Sequence, residues 1–278
     1  IMMGLYANLP YALASGMGLN AFFAFTVCGI NKIPWQIALT AVFVEGIIFI
    51  ILSLTRVREA VVNAIPDSLK IAVSAGIGLF IAFIGLQNSK MVIHEDATLV
   101  TLGKMSDPRV LICIIGIIIT GVLVHKNVKG SILWGILAST IIAWIYAGII
   151  GPDKAAELYQ IYLPEGVAHV YGIKDIAFKL DFSVFTHKEG ILTFISVMLT
   201  FLFVDFFDTV GTLVGVASKA DMFDEKGNVL RAKEALLTDA VGTTLGALLG
   251  VSTVTTYVES SAGVVEGGRT GLTAVTTG

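Results

Sequence analysis

Charge is scarce in this sequence. Only 14% of its 278 residues are charged, against about 25% in an ordinary soluble domain, so the chain cannot cover a water-facing surface of the usual extent. A basic surplus is also missing: 18 Lys and Arg stand against 21 Asp and Glu, a net charge of -3. That excludes a nucleic-acid-binding surface, which needs clustered positive charge to meet phosphates. Cysteine is nearly absent. The two present, Cys28 and Cys113, each sit in an apolar run, so neither a disulfide framework nor a metal cluster is implied. What the sequence has instead is apolar bulk, with 55% hydrophobic residues and a mean hydropathy of +0.86. It also holds 29 glycines, a residue that lets membrane helices approach closely. The composition is that of an integral membrane protein.

A helix needs about 20 apolar residues to cross about 30 Å of hydrocarbon. Runs of that kind fall at Ile33 to Thr55, Ile71 to Ser89, Val110 to Val124, Gly130 to Pro152, Gly190 to Ser218 and Ala240 to Val258. With the uncharged stretch from Ile1 to Asn31, the pattern predicts about eight spans and a stub at each end. The chain starts and stops inside apolar segments, so we expect a fragment of a longer protein, because backbone left unpaired in hydrocarbon is costly. Two long connections, Asn88 to Pro108 and Gly151 to Lys188, are polar and expected outside the membrane. More than half of the Lys and Arg, among them Arg56, Arg58, Lys70 and Lys226, fall on one side of the resulting topology. The positive-inside rule makes that side cytoplasmic.

Two stretches do not read as simple helices: NLPYALASGMGLN over Asn8 to Asn20, and GVSTVTTYVESSAG over Gly250 to Gly263. Each opens on an extended part, Leu9 to Ala12 in one and the Thr- and Val-rich Val251 to Tyr257 in the other, residues that favour strands. Each then passes through small residues into a half-helix. Broken segments of this kind at membrane depth line cavities or lie buried in protein, and paired ones point to a transporter's binding site.

Acids inside spans cost about 2.5–3.5 kcal/mol on insertion scales and default to a functional reading. Asp205 and Asp208 lie three residues apart and so share one helical face. Val204, Phe206 and Phe207 take up the rest of the circumference, so the acids point into the bundle. Glu259 opens the second half-helix, and Asn20 is its polar counterpart in the first. Carboxyls buried in this way favour protonation, and a protonated acid both donates and accepts, which suits the edge of a neutral heterocycle. Glu45 and Asp239 read as structural, Glu45 pairing within the bundle and Asp239 near a span's end where solvation is cheap. Gly242, Gly246 and Gly250 recur every fourth residue as a close-packing face.

NLPYALASGMGLNAFFAF, VDFFDTVGTLVGVASKADM and STVTTYVESSAGVVEGGRTGLTAV closely resemble the AzgA-like branch of the nucleobase–cation symporter-2 (xanthine/uracil permease) family, purine permeases for hypoxanthine, guanine and adenine. The resemblance runs over essentially the whole chain. It implies an all-α polytopic membrane protein, an inverted-repeat transporter with fourteen spans, of which this chain would hold the second to the start of the eleventh. The two broken segments would be the third and tenth spans, carrying short antiparallel strands at mid-membrane. A core domain (1–55 and 189–278) would move against a gate domain (56–188), often within a homodimer in the plasma membrane.

By the same resemblance, purine binding falls to Asn20, Asp205, Asp208 and Glu259, and proton coupling to one of the three acids. Asp208 stands before Val210-Gly211 where more distant uracil and xanthine members carry Glu, which sets the substrate outside the pyrimidine branch. Phe22, Phe23 or Phe206 would stack on the base. No cofactor and no resident metal are called for. Two rivals remain at this stage: a membrane-embedded Mg2+-dependent enzyme using Asp205 and Asp208, disfavoured because no Lys or Arg accompanies the pair within the span, and an anion transporter of the same fold, disfavoured because the site offers acids rather than cations.

Overall fold

The computed structural model describes residues 1–55, 66–164, 166, 172–185, 188–225 and 227–278. Arg56, Arg58 and Lys226, used above to orient the chain, lie outside the described residues. The chain is mostly helical and divides into two compact units, one from 1–77 with 171–278 and the other from 78–170.

In the first unit the opening 31 residues do not make a simple span. A short π-helical turn, α1 (Met3–Ala7), leads through an extended stretch to strand β1 (Leu13–Ser15). Two helical pieces follow, α2 (Met17–Ala21) and the π-helical α3 (Phe22–Ile30). Pro10 and the small residues before Asn20 prevent a continuous helix here, because Pro lacks the N–H that the preceding turn would use. The strand lies just beyond the expected Leu9 to Ala12. Pro34 then stands immediately before α4 (Trp35–Leu54), an uninterrupted apolar helix. It is followed by α5 (Asp67–Asn88), whose first half belongs to this unit.

After 171, a short 3-10 turn (Ser183–Phe185) precedes α9 (Lys188–Ala220). At 33 residues this helix is roughly 50 Å long, more than a membrane's hydrocarbon thickness. The span expected over Ala240 to Val258 is corrected. Helix α10 runs from Ala232 to Leu248, so it starts earlier, takes Lys233, Glu234 and Asp239 into its first turns, and stops at Gly250, whose φ of 87° suits only glycine at low cost. The residues that follow are extended: β4 (Val254–Thr256) pairs antiparallel with β1, Leu13 facing Thr256 and Ser15 facing Val254. Two short helices close the chain, α11 (Ser260–Val265) and α12 (Gly271–Thr277).

The second unit holds the rest of α5, a hairpin of β2 (Val92–Glu95) and β3 (Leu99–Leu102), then α6 (Pro108–His125), α7 (Ser131–Ile150) and α8 (Pro152–Tyr159). The hairpin is an addition to the all-α expectation, built in the polar loop after α5 and exposed. Asp107 caps α6 by accepting from the Arg109 backbone N–H at 2.9 Å, relieving one of the orphan donors of the first turn. Helices α6 and α7 pack through small residues: a Cβ added at Gly116 would overlap Ser139, and one at Gly135 would overlap Thr120. Their outer faces leave Ile118, Trp134 and Ile149 exposed, Ile149 by 77%, a surface that lipid tolerates and water does not. Among the described residues four helices are long and apolar enough to cross a membrane, α4, α6, α7 and the Gly190–Ala220 part of α9.

Among the described residues the first unit has three apolar clusters, two of them large. Of the large ones, one joins Met3, Tyr11, Val210, Leu213, Leu236 and Val264; the other joins Leu19, Val27, Val42, Phe194 and Phe201. Between helices in lipid there is no hydrophobic gain to collect, so close packing and internal hydrogen bonds carry the association. The chain supplies both where the strands meet the helices.

Candidate functional site

The strand pair is held from both sides. Val254 presses against α10 where it has no side chains: a Cβ added at Gly246 would lie 2.8 Å from Val254 Cγ2, and one at Gly242 3.3 Å from Val254 Cγ1. Gly242 and Gly246 thus form the expected packing face, but against a strand, while Gly250 ends the helix instead. Thr243 donates to the Val254 carbonyl at 2.6 Å. At the far end Tyr257 donates its backbone N–H to the Ala12 carbonyl (2.9 Å) and its hydroxyl to the Ser15 carbonyl (2.6 Å). Ser260 Oγ accepts from Ala12 N at 2.9 Å. The two broken segments are therefore one unit, their backbone groups satisfied by each other, as burial away from water requires.

Strand periodicity places Thr253 and Thr255 on the same face, and each meets an acid. Thr253 donates to Glu45 Oε2 at 3.1 Å. Thr255 Oγ1 lies 3.0 Å from Thr209 Oγ1 and is also hydrogen-bonded to Asp208. Thr209 in turn approaches Asp239 Oδ2 at 3.1 Å and Asp205 Oδ1 at 3.4 Å. Asp205, Asp239, Glu45 and Thr209 are all 0% exposed, Asp208 is half-buried and Glu259 is exposed.

The arrangement sorts the acids. Asp205 and Asp239 sit behind the strand, Asp208 sits at its edge, and Glu259 stands just before α11 with Tyr257 near both Asp208 and Glu259. The hydroxyls of Thr209 and Thr255 lie among these carboxyls as hydrogen-bonding groups that each donate one hydrogen. A proton added to any of the carboxyls would bring the cluster a further donor. Asp239 corrects its reading: α10 begins before it, so it lies two turns inside a helix and fully buried, where solvation is not cheap.

Asn20 lies at the other end of the strand pair. Ser15 Oγ hydrogen-bonds its Oδ1 position at 2.6 Å, Ser252 Oγ hydrogen-bonds the same atom, and the two hydroxyls are 2.7 Å apart. Gly16 permits the approach, since a Cβ there would lie 2.9 Å from Thr255 Cγ2. The rings of Phe22 and Phe23 rest on Phe201, with centroids 5.1 and 6.2 Å away, and Phe206 packs against the first apolar cluster. Sequence reading missed Ser15, Ser252, Thr209 and Thr255. For Thr255 the available signal was a hydroxyl at every second position, Thr253, Thr255 and Tyr257, which share one face of a strand.

A bundle of apolar helices enclosing a polar centre, with two interrupted segments meeting as strands, defines a helical membrane protein of the permease kind. The chain belongs to the permease family described by the Xan_ur_permease model, which matches residues 1–278. Among its relatives, the guanine/hypoxanthine permease PbuG of Bacillus subtilis (strain 168) is 45% identical over 279 residues, covering 100% of this chain and 60% of that protein. The guanine/hypoxanthine permease PbuO of the same organism is 42% identical over 281 residues, covering 99% of this chain and 61% of that protein. The adenine permease AdeP of Escherichia coli (strain K12) is 40% identical over 283 residues, covering 100% of this chain and 59% of that protein. The chain thus spans about three fifths of the length of these relatives.

Proposed function

We propose that the chain is the substrate-binding part of a multi-pass plasma-membrane importer of purine nucleobases, working by proton symport and alternating access. The observation that carries this reading is the half-buried Asp208 at the edge of the strand pair, with Glu259 at the head of the next helix. Two carboxyls facing one edge can meet ring nitrogens and exocyclic groups of a purine, whose hydrogen-bonding pattern is fixed and planar. Asn20 faces from the opposing broken segment, and Asp205, behind the strand, is the better placed to hold a coupling proton. The names of the relatives support a purine rather than a pyrimidine, and place the chain among permeases rather than Mg2+-dependent enzymes.

An inverted repeat within a fourteen-span fold is supported by the order helix–strand–short helix, which occurs once as α1–β1–α2 and again as α10–β4–α11 with the strands antiparallel. In this reading 1–55 and 189–278 form the moving core and 56–188 the gate, within a homodimer. The test is radiolabelled hypoxanthine uptake by the full-length protein. Glu259→Gln and Asp208→Asn should each abolish uptake with membrane expression intact, and a protonophore should collapse accumulation. Uptake that survives both substitutions rejects the site, and accumulation that follows Na+ rejects proton coupling.

A further inference from the structure

Glu45 stands midway along α4, a helix long enough to span, and is 0% exposed. An ionisable group at that depth is costly and seldom kept without a use. Its Oε2 accepts from the Thr253 hydroxyl at 3.1 Å, and Thr253 is itself 0% exposed. Thr253 lies one residue ahead of β4, and its backbone carbonyl accepts the Gly16 N–H at 3.2 Å. Gly16 belongs to the other broken segment. Its own carbonyl accepts the Asn20 N–H at 2.8 Å, in the first turn of α2. In the other direction, two residues along the strand, Thr255 reaches Asp208. Thr253 is thus the point where a side chain of α4, the head of α2 and the strand that leads to Asp208 are joined.

Packing leaves this junction little slack. A Cβ on Gly16 would lie 2.9 Å from Thr255 Cγ2 and 3.3 Å from Leu19 Cδ1, and one on Gly46, next to Glu45, would lie 2.9 Å from Thr244 N. A displacement of Thr253 is therefore passed to Gly16 and to the strand. We propose that Glu45 is a positioning residue: by holding Thr253 it fixes the spacing between Asn20 on one broken segment and Asp208 at the edge of the other. A purine is rigid and planar, so groups that meet its two edges must stand at a set distance before it arrives. Such preorganisation raises affinity because the ordering is not left to the ligand. Glu45 is fully buried and acts through Thr253, not by touching the base.

This inference rests on the purine reading above. Its test is the concentration dependence of labelled hypoxanthine uptake by the full-length protein, with maximal rates corrected for the amount in the membrane. Glu45→Ala removes the acceptor and should raise KM at least about tenfold, while the corrected maximal rate stays within about threefold. Thr253→Val removes the donor and should also raise KM, and adding it to Glu45→Ala should raise KM no further, since the contact is already lost. Glu45→Gln keeps an oxygen that accepts from Thr253 and should hold KM within about threefold of the unsubstituted value. If Glu45→Ala does not reach the membrane, Thr253→Val against Thr253→Ser gives the same reading, the serine restoring the donor. Additive effects of the two substitutions would overturn the proposal, as would a fall in maximal rate with KM unchanged, or no change at all. So would a raised KM in Glu45→Gln, or lost accumulation there, which would make Glu45 a proton carrier instead of a support. Absence of any purine uptake by the unsubstituted protein would instead remove the purine reading itself.

Discussion

Helix α4 crosses α10 at a glycine, and the crossing sets the position of a buried acid. A Cβ added at Gly46 would overlap the Thr244 hydroxyl and lie 2.9 Å from Thr244 N and 3.0 Å from its Cα. Two of these are backbone atoms of a packed helix, so they cannot swing aside; the helices must separate. Gly46→Ala therefore adds an overpacking cost of about 1–3 kcal/mol, offset by up to ~1 kcal/mol of helix propensity. With the full propensity gain the net loss is about 0–2 kcal/mol, which for a chain of this size lowers the melting temperature by up to roughly 8 °C. The adjacent residue transmits the shift. Glu45 accepts from Thr253 at 3.1 Å, so moving α4 outward stretches the contact that holds the segment leading into β4. The assay is the fraction of monodisperse full-length protein left after heating in detergent, together with hypoxanthine uptake. Gly121→Ala is the control, because nothing lies within 4 Å of a Cβ there and the substitution gains propensity alone. If Gly46→Ala is tolerated as well as Gly121→Ala, the close crossing and its link to the strand pair are wrong.

Thr209→Val keeps shape but removes the hydroxyl between Asp239, Asp205 and Thr255. It should cost about 1–3 kcal/mol and impair uptake, while Thr209→Ser retains both, as the same heating and uptake assays would show. Asp107 caps α6 and pairs with Arg109 at 2.8 Å, and the Arg109 side chain holds its carboxyl below the usual carboxylate range. A depressed folded value stabilises above the unfolded value of about 3.9, and that stability is lost as pH falls through the lower folded value. Asp107→Asn keeps a capping acceptor, so it should cost less than about 1 kcal/mol at neutral pH. It should also flatten the loss of thermal resistance below about pH 4, and an unchanged acid profile would refute the pair's contribution.

The helical spans were legible because they depend on run length and composition. Trp35–Leu54, Pro108–His125 and Ser131–Ile150 fall within a few residues of the apolar runs that predicted them. The end of α10 was not legible from charge alone. Asp239 marks a boundary in a list of charges but not in a helix whose interior it faces, since a buried hydrogen-bonding partner removes the reason for a charge to stay outside. The exposed hairpin of β2 and β3 was also missed, for its strands carry little apolar alternation. The broken segments were legible from Pro10, the small residues and the β-branched run. Their register was not, because a shift of one residue leaves the composition unchanged while turning every side chain to the other face.

Scarce charge, long apolar runs and two interrupted segments by themselves determined that this chain lives in a membrane and keeps a polar centre, because solvent choice follows from composition and helix length from local sequence. The residues singled out, Asn20, Asp205, Asp208 and Glu259, were visible as polar groups in the wrong solvent. Which of them face one another, and through what, was decided only by the tertiary structure. Asp205 and Asp239 meet at Thr209, Asp208 turns to Thr255, and Asn20 turns to nearby Ser15 and, across 232 residues, to Ser252. Hydrogen-bond partners in a membrane interior are chosen by proximity in space and by the count of available hydrogens, and neither can be read along the chain.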